Sequence, residues 1–289
     1  MAPFAQRFFA LAKARSPLCL GLDPSSDLVR EWGFSDDADG LSRFCDAVLE
    51  AAGDRIAVVK PQASFFERLG PAGLSAMARA VERVREQGAL SIIDCKRGDV
   101  SGTMQGYAEA MLGPGSGFAG DAMTVTAYLG FDALRPAFER AAQCDAAVFV
   151  IVRSSNPEGR SLQDARHADG RTVADALADD ITAFNAALGD GIGPVGALIG
   201  ATMDKTGAAT LARLPQSLIL SPGVGAQGAS LEDLRNTFGS HIGRTLPSVS
   251  RSILRHGPSV SALREAIDRY RDQAWRAAEG AQAVAALDP

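Results

Sequence analysis

The feature that most constrains the fold of this chain is a repeated alternation of short apolar runs with longer amphipathic stretches. Runs rich in apolar and β-branched residues occupy residues 18–23, 56–61, 90–94, 122–126, 147–152, 195–200, 218–221 and 246–250. Apolar residues recur at helical spacing between several of these runs, at residues 41–52, 73–86, 134–142, 172–188 and 260–278. Alternating strands and helices with continuous apolar strands predict a parallel sheet covered by helices.

Eight such units in 289 residues favour a single (β/α)8 TIM barrel over a doubly wound sheet. No G-x-G-x-x-G follows the first predicted strand, and no linker rich in Pro, Gly or Ser divides the chain. We therefore predict one domain over residues 1–289. Residues 3–15 are predicted to form an initial helix that closes one end of the barrel. The polar segment 153–171 predicts a long loop after the fifth strand, at the rim of the site.

The composition excludes several classes of partner and site. A net charge of −5 with scattered signs argues against nucleic acid or an anionic membrane, and no apolar run approaches the roughly 18 residues of a membrane span. The four cysteines form no C-x-x-C pair and the three histidines are dispersed, which predicts neither a disulfide framework nor a metal site. We expect a reducing, cytoplasmic location and a small-molecule partner.

Charged side chains follow three successive predicted strands. Asp23 ends the first strand, Lys60 the second, and Asp94 with Lys96 the third, while Thr124 and Thr126 occupy the end of the fourth. Because the carboxyl ends of barrel strands meet at one mouth, we expect the four charged groups to form one alternating cluster if these strands are neighbours. A purely structural ion-pair network remains an alternative, but a catalytic site is favoured.

The lysine at residue 96 is unusual in this composition. The chain holds 25 arginines and only four lysines, and Lys96 stands between Asp94 and Asp99. A lysine retained where arginine dominates suggests that a compact ammonium with a transferable proton is needed.

A second signal comes from the loops after the seventh and eighth strands. Residues 221–228 read SPGVGAQG and contain Gly225 and Gln227, and residues 248–252 read SVSRS and contain Ser250 and Arg251. Glycines allow backbone N–H groups to close on an anion, and arginine offers a fork for phosphate oxygens. Because these loops commonly bind phosphate in barrels, they predict a phosphorylated substrate.

Seven motifs, from the first predicted strand to the eighth, resemble those of the orotidine 5′-phosphate decarboxylase family, and most closely its second bacterial subgroup. They are Gly21-Leu22-Asp23-Pro24, Val59-Lys60-Pro61-Gln62, Asp94-x-Lys96-x-x-Asp99 with Thr103, Ser154-Ser155-Asn156-Pro157, Ile199-Gly200-Ala201-Thr202, the run at residues 222–228, and Ser250-Arg251-Ser252. The resemblance covers essentially the whole chain.

This resemblance implies decarboxylation of orotidine 5′-phosphate to UMP, the last step of de novo pyrimidine synthesis, without a metal or organic cofactor. It also implies a homodimer in which Asp99 and Thr103 reach into the partner's site. It further implies ribose ligands (Asp23, Lys60), a group facing the scissile carboxylate (Asp94), a proton donor (Lys96) and phosphate ligands (Gln227 and Arg251, with Gly225 and Ser250 in the same loops).

Three other functions share parts of this pattern. A metal-dependent sugar-phosphate lyase or decarboxylase of the same barrel lineage, such as hexulose phosphate synthase, shares a similar D-x-K-x-x-D but holds magnesium with an acid on the second strand, where Lys60 would repel the ion. A Schiff-base aldolase using Lys60 or Lys96 needs a neutral amine, which adjacent carboxylates disfavour. A non-catalytic phosphate-binding barrel does not require a lysine between acids.

Overall fold

Eight parallel strands form a closed barrel in which each strand lies beside its successor. The computed structural model of the chain describes residues 1–203, 205–225 and 228–285. The strands are β1 (Cys19–Leu22), β2 (Val58–Pro61), β3 (Leu90–Arg97), β4 (Ala122–Val125), β5 (Ala147–Arg153), β6 (Val195–Ile199), β7 (Ile219–Ser221) and β8 (Thr245–Val249). The predicted TIM barrel is thereby confirmed.

Helices flank this barrel and follow its strands. They are α1 (Phe4–Ala14), α2 (Ser26–Glu31), α3 (Ala38–Ala52), α4 (Ala63–Glu67), α5 (Gly70–Glu86), α6 (Ser101–Met111), α7 (Arg135–Gln143), α8 (Arg160–Gln163), α9 (Val173–Ala186), α10 (Lys205–Ala212), α11 (Leu234–Phe238), α12 (Arg251–Leu254) and α13 (Val260–Ala285). None of the described helices has both the length and the apolar composition needed to cross a membrane.

Strand register places the charged ends of the first three strands next to one another. Gly21 of β1 lies opposite Lys60 of β2, and Gln62, just beyond β2, forms a parallel bridge with Asp94 of β3. The barrel closes where Cys19 of β1 pairs with Ser248 of β8. The expected neighbourhood of β1, β2 and β3 is therefore observed.

Strand β3 is longer than the sequence predicted. The apolar run predicts an end at Asp94, whereas the strand continues to Arg97, whose carbonyl accepts a hydrogen bond from the Thr126 N–H at 2.8 Å. The register with β4 shifts between Ile93 and Arg97, as in a bulge that redirects side chains. Asp94 and Lys96 consequently lie inside the strand and do not follow it.

The segment predicted as one long loop after β5 contains local structure. A 3₁₀ turn (Pro157–Gly159) leads directly into α8. Pro157 stands at the first position of that turn, where a missing N–H costs no hydrogen bond. The Arg153 guanidinium, at the end of β5, forms an ion pair with Asp164, just after α8, at 2.5 Å. This contact fastens the segment to the barrel.

Two apolar clusters hold the barrel together. The larger lies between the strands and the surrounding helices, and the smaller fills the barrel interior below the mouth. Phe4 and Phe8 of α1 belong to the interior cluster, and the Phe4 ring meets Phe149 of β5 edge-on at 6.0 Å between centroids. Arg7 of α1 also forms an ion pair with Asp121, just before β4. Helix α1 therefore covers the end of the barrel opposite the strand carboxyl ends.

The packing of α1 predicts a large difference between two adjacent phenylalanines. Phe8 is fully buried and Phe9 is 37% exposed. We expect Phe8→Ala to lower the free energy of unfolding by about 3–5 kcal/mol, as large cavities in cores do. Phe9→Ala is the matched control and should change it by no more than about 1 kcal/mol. Urea unfolding followed by circular dichroism measures both, and equal losses would contradict the role given to α1.

Candidate active site

A chain of three charges lies at the barrel mouth on β2 and β3. The Lys60 ammonium donates to Asp94 Oδ2 at 2.8 Å, and the Lys96 ammonium donates to Asp94 Oδ1 at 2.6 Å. Asp94 and Lys96 are two residues apart in β3, and both side chains meet at the carboxylate that Lys60 also contacts. The structure thus brings together Lys60, Asp94 and Lys96, as the sequence predicted.

The three side chains differ sharply in their access to solvent. The Lys60 and Asp94 side chains are each only 6% exposed, whereas Lys96 is 44% exposed. Lys60 and Asp94 are therefore fixed in the wall of the mouth. The Lys96 ammonium is accessible to a ligand that enters the barrel mouth.

Both buried groups stay charged at neutral pH. Burial alone would raise the pKa of Asp94, but the Lys60 and Lys96 ammonium groups outweigh it and hold that pKa well below its usual value. Burial alone would lower the pKa of Lys60, but the Asp94 and Asp23 carboxylates outweigh it and raise that pKa. Lys60 is therefore a permanent cation and Asp94 a permanent anion.

Gln62 is a member of this cluster to which the sequence reasoning gave no role. Its side-chain N–H donates to the Asp94 carbonyl at 3.1 Å, and its side-chain oxygen accepts from the Lys96 ammonium at 3.2 Å. Gln62 therefore supports Lys96 from the side of β2. The signal that could have found it is its spacing of two from Lys60, which puts both side chains on one face of an extended chain.

Asp23 faces the same mouth with one oxygen unused. Its Oδ1 atom is buried and has no hydrogen-bond partner among the residues that the structure describes, and the same holds for the hydroxyl of Ser250 after β8. Buried polar atoms are almost always hydrogen-bonded in folded proteins. Two unused acceptors at one opening indicate a site built for a polar ligand.

A cavity of about 300 Å³ opens between these groups. Asp23, Lys60, Asp94 and Lys96 line one wall, while residues 154–156 after β5, residues 222–224 after β7, and Ser250 with Arg251 line the others. The size lies at the lower end of the range for small-molecule sites. The cavity therefore joins the charged cluster to the predicted phosphate loops.

The described part of the predicted phosphate loop has a backbone that only glycine adopts easily. Gly225 has a φ of +79°, and a Cβ atom there would lie 2.5 Å from the Ser252 hydroxyl oxygen. Any other residue would therefore be strained and would clash, as expected where backbone must approach closely. Gly225 lies one residue beyond the stretch that lines the cavity, and Gln227 falls outside the described residues.

Asp99 and Thr103 are not brought into this cavity. The Asp99 carboxylate accepts the N–H of Val100 at 2.7 Å, and Thr103 is exposed on α6. Among the described residues, no group of three or more His, Cys, Asp or Glu side chains is arranged to hold a metal ion. The cavity in one chain therefore contains the predicted site residues except Asp99, Thr103, Gly225 and the undescribed Gln227.

Known proteins resemble the chain over nearly its full length. A sequence model of the orotidine 5′-phosphate decarboxylase / HUMPS family matches residues 16–266. Orotidine 5′-phosphate decarboxylase of Myxococcus xanthus is 50% identical over 93% of each chain, and that of Streptomyces coelicolor is 43% identical over 93% of this chain and 96% of the relative.

Solved structures give the same result. A Streptomyces avermitilis crystal structure assigned as an orotidine 5′-phosphate decarboxylase is 42% identical and superimposes with a TM-score of 0.90 over 96% of this chain and 97% of that one. The Leishmania donovani OMP decarboxylase structure is 28% identical, with a TM-score of 0.77 over 94% of this chain and 99% of that one.

The buried charge chain predicts a strong, pH-dependent effect of Asp94→Asn. Loss of this carboxylate leaves the buried Lys60 ammonium unpaired, so we expect the free energy of unfolding to fall by about 3–5 kcal/mol at pH 7. Because the pKa of Asp94 is lowered by folding, its contribution is complete above the unfolded value of about 3.9 and is lost as the pH falls further. Denaturant titrations should give a constant deficit between about pH 5 and 8 that narrows below about pH 4.

Asp46→Asn is the matched control for this change. Asp46 pairs with Arg83 at the surface, where its side chain is 64% exposed. Exposed pairs contribute about 0–1 kcal/mol, so a small loss is expected. A loss at Asp94 no greater than that at Asp46 would contradict the buried charge chain.

Proposed function

We propose that this chain, which belongs to the orotidine 5′-phosphate decarboxylase / HUMPS family, converts orotidine 5′-phosphate to UMP and CO2 in de novo pyrimidine synthesis. The observation that carries the proposal is the Lys60–Asp94–Lys96 charge chain in a cavity that also reaches the loops after β7 and β8. One end of that cavity suits a reacting carboxylated ring, and the other suits a phosphate.

The reaction requires a cation beside a developing carbanion. The bond from the pyrimidine ring to its carboxylate breaks, CO2 leaves, and the electron pair stays on the ring carbon. Lys96, the exposed end of the charge chain, stabilises that charge and then delivers a proton to the carbon. Its amine regains a proton from solvent. Asp94, next to the scissile carboxylate, repels it in the ground state, and the departure of CO2 relieves that repulsion.

Lys96 alone does not supply the whole rate enhancement. Unit charges about 4 Å apart at an effective dielectric of about 20 gain roughly 4 kcal/mol, or about three powers of ten in rate. The remainder is assigned to binding of the phosphate and ribose, whose contacts order the charged site in the transition state.

The ribose is assigned to the ends of β1 and β2, and the phosphate to the loops after β7 and β8, next to β1. Asp23 and Lys60 bind ribose hydroxyls, and the unused Oδ1 of Asp23 supports this role. The loops after β7 and β8 bind the phosphate through Arg251, Ser250, Gly225 and Gln227. Arg251 and Ser250 line the cavity, and the Gly225 backbone brings its loop close to Ser252.

Two rival activities lack support at β2. A metal-dependent lyase needs an acid on this strand, whereas Lys60 occupies the cavity wall with its pKa raised. A Schiff-base mechanism needs a neutral amine, and the Lys60 and Lys96 ammonium groups both contact the Asp94 carboxylate. Cofactor-free decarboxylation is the activity that uses two protonated lysines and an ionised Asp94.

We also propose a homodimer with shared sites. Asp99 and Thr103 lie outside the cavity of their own chain, so they are free to serve the cavity of a partner. Large apolar residues are exposed after β3 and after its neighbour β4: Val100 is 60%, Tyr128 78% and Leu129 53% exposed. An apolar surface beside two polar side chains that lie outside their own cavity suits an isologous interface.

The cellular setting follows from the thiols. Cys19, Cys45 and Cys95 are buried free thiols and Cys144 is a half-buried one. Four unpaired cysteines suit a reducing compartment, so we assign the chain to the cytoplasm. The proposed reaction uses no cofactor and takes neither nucleic acid nor membrane as a partner.

The proposed activity is tested by direct assay of the purified protein. We expect conversion of orotidine 5′-phosphate to UMP at the same rate with and without EDTA, followed by the change in ultraviolet absorbance. Lys96→Ala should reduce kcat by at least about 1,000-fold because it removes both the cation and the proton donor.

Lys13→Ala, an exposed change in α1, is the control and should leave kcat unchanged. Circular dichroism should show that all these proteins fold. Loss of activity with EDTA would favour the metal-dependent lyase, and full activity in Lys96→Ala would remove the mechanism.

Shared sites predict complementation between two inactive variants. Asp99→Asn and Lys96→Ala homodimers should each be inactive. Half of the dimers in an equilibrated equal mixture are hybrids with one intact site of two, so activity should rise to about one quarter of the wild-type value. Native mass spectrometry confirms subunit exchange, and no recovery despite exchange would rule out the shared site.

A further inference from the structure

Thr124 of β4 lies directly behind the charge chain and is fully buried. Its hydroxyl oxygen is 2.8 Å from Asp94 Oδ1 and 3.0 Å from the backbone nitrogen of Lys96. It is absent from the residues that line the cavity. Thr124 therefore contacts the two reacting residues without reaching a ligand in the cavity.

The direction of each hydrogen bond is fixed by the partner of the Thr124 hydroxyl. An ionised carboxylate can only accept, so the Thr124 hydroxyl must donate its hydrogen to Asp94 Oδ1. A backbone N–H can only donate, so the Thr124 oxygen must accept from Lys96. One hydroxyl thus joins the Asp94 side chain to the Lys96 backbone with no freedom to rotate.

The Lys96 backbone needs this support. Lys96 has a φ of +46°, in the left-handed region that non-glycine residues rarely adopt. It also lies in the stretch where the register between β3 and β4 shifts, between Ile93 and Arg97. Because the regular pairing of β3 with β4 is interrupted there, the Lys96 N–H donates to the Thr124 hydroxyl oxygen.

We propose that Thr124 is a positioning residue for the decarboxylation: its hydroxyl holds Asp94 Oδ1 and the strained Lys96 backbone so that the Lys96 ammonium faces the substrate. This inference rests on the proposed function. Gln62 holds the same ammonium from the side of β2, so Lys96 is fixed at both its backbone and its tip.

Two substitutions separate the hydroxyl from the shape of the side chain. Thr124→Val keeps the branched shape and removes the hydroxyl, whereas Thr124→Ser keeps the hydroxyl. We expect Thr124→Val to lower kcat by about 10- to 100-fold, because small displacements of a reacting group have effects of this size. KM for orotidine 5′-phosphate and the dissociation constant of UMP, measured by calorimetry, should stay within about threefold. Thr124→Ser should recover most of kcat.

Thr210→Val is the matched control. Thr210 of α10 is also fully buried and also donates to a carboxylate, Asp175 Oδ1, at 2.7 Å. It is not among the residues lining the cavity, so its variant should lose stability comparable to Thr124→Val and keep wild-type kcat. A Thr124→Val kcat within about threefold of wild type, or an equal kcat loss in Thr210→Val or Thr124→Ser, would overturn the inference.

Crystal structures give a readout that does not depend on turnover. In Thr124→Val we expect the distance from the Lys96 ammonium to Asp94 Oδ1 to exceed the 2.6 Å seen here and to fall outside hydrogen-bonding range. In Thr124→Ser the contact should persist. An unmoved Lys96 in Thr124→Val would exclude a positioning role. An inactive wild-type protein would instead remove the proposed function, and the structures would still decide whether Thr124 holds Lys96.

Discussion

The Asp94 carboxylate, held between the ammonium groups of Lys60 and Lys96, is the interaction on which the rest of the site depends. A lysine as buried as Lys60 would lose its proton or destabilise the fold without a compensating anion. Asp94 provides that anion, and this is possible because β2 and β3 are neighbours. The order of strands in the barrel therefore sets the electrostatics of the mouth.

The mouth has a charge opposite to that of the whole chain. The protein carries a net charge of −5, yet Lys60, Lys96 and Arg251 outnumber Asp23 and Asp94 around the cavity. A local excess of positive charge in a cleft attracts anions even when the distant surface is negative. It therefore suits a ligand that carries both a phosphate and a carboxylate.

The sequence could predict the parts of the structure that follow from local patterns. Continuous apolar runs located the strands, and charged residues at the predicted ends of these runs located Lys60, Asp94 and Lys96, because a charge is conspicuous beside an apolar run. It could not single out Gln62 or assign a role to Thr124, because neutral polar side chains are common in strands and these two gain meaning only from neighbours on other strands. The extension of β3 was missed for the same reason, since a bulge depends on pairing with β4.

The chain keeps lysine at residues 60 and 96 although arginine outnumbers lysine 25 to four, and the geometry gives a reason. Each oxygen of Asp94 accepts a hydrogen bond from one ammonium group: Oδ2 from that of Lys60 and Oδ1 from that of Lys96. A guanidinium pairs with a carboxylate through both oxygens at once and cannot release its proton near neutral pH. Arginine at either position would use both oxygens of Asp94 and leave neither for the second cation. At residue 96 it also could not protonate the ring carbon. A single carboxylate shared by two cations therefore requires the compact ammonium of lysine on both sides.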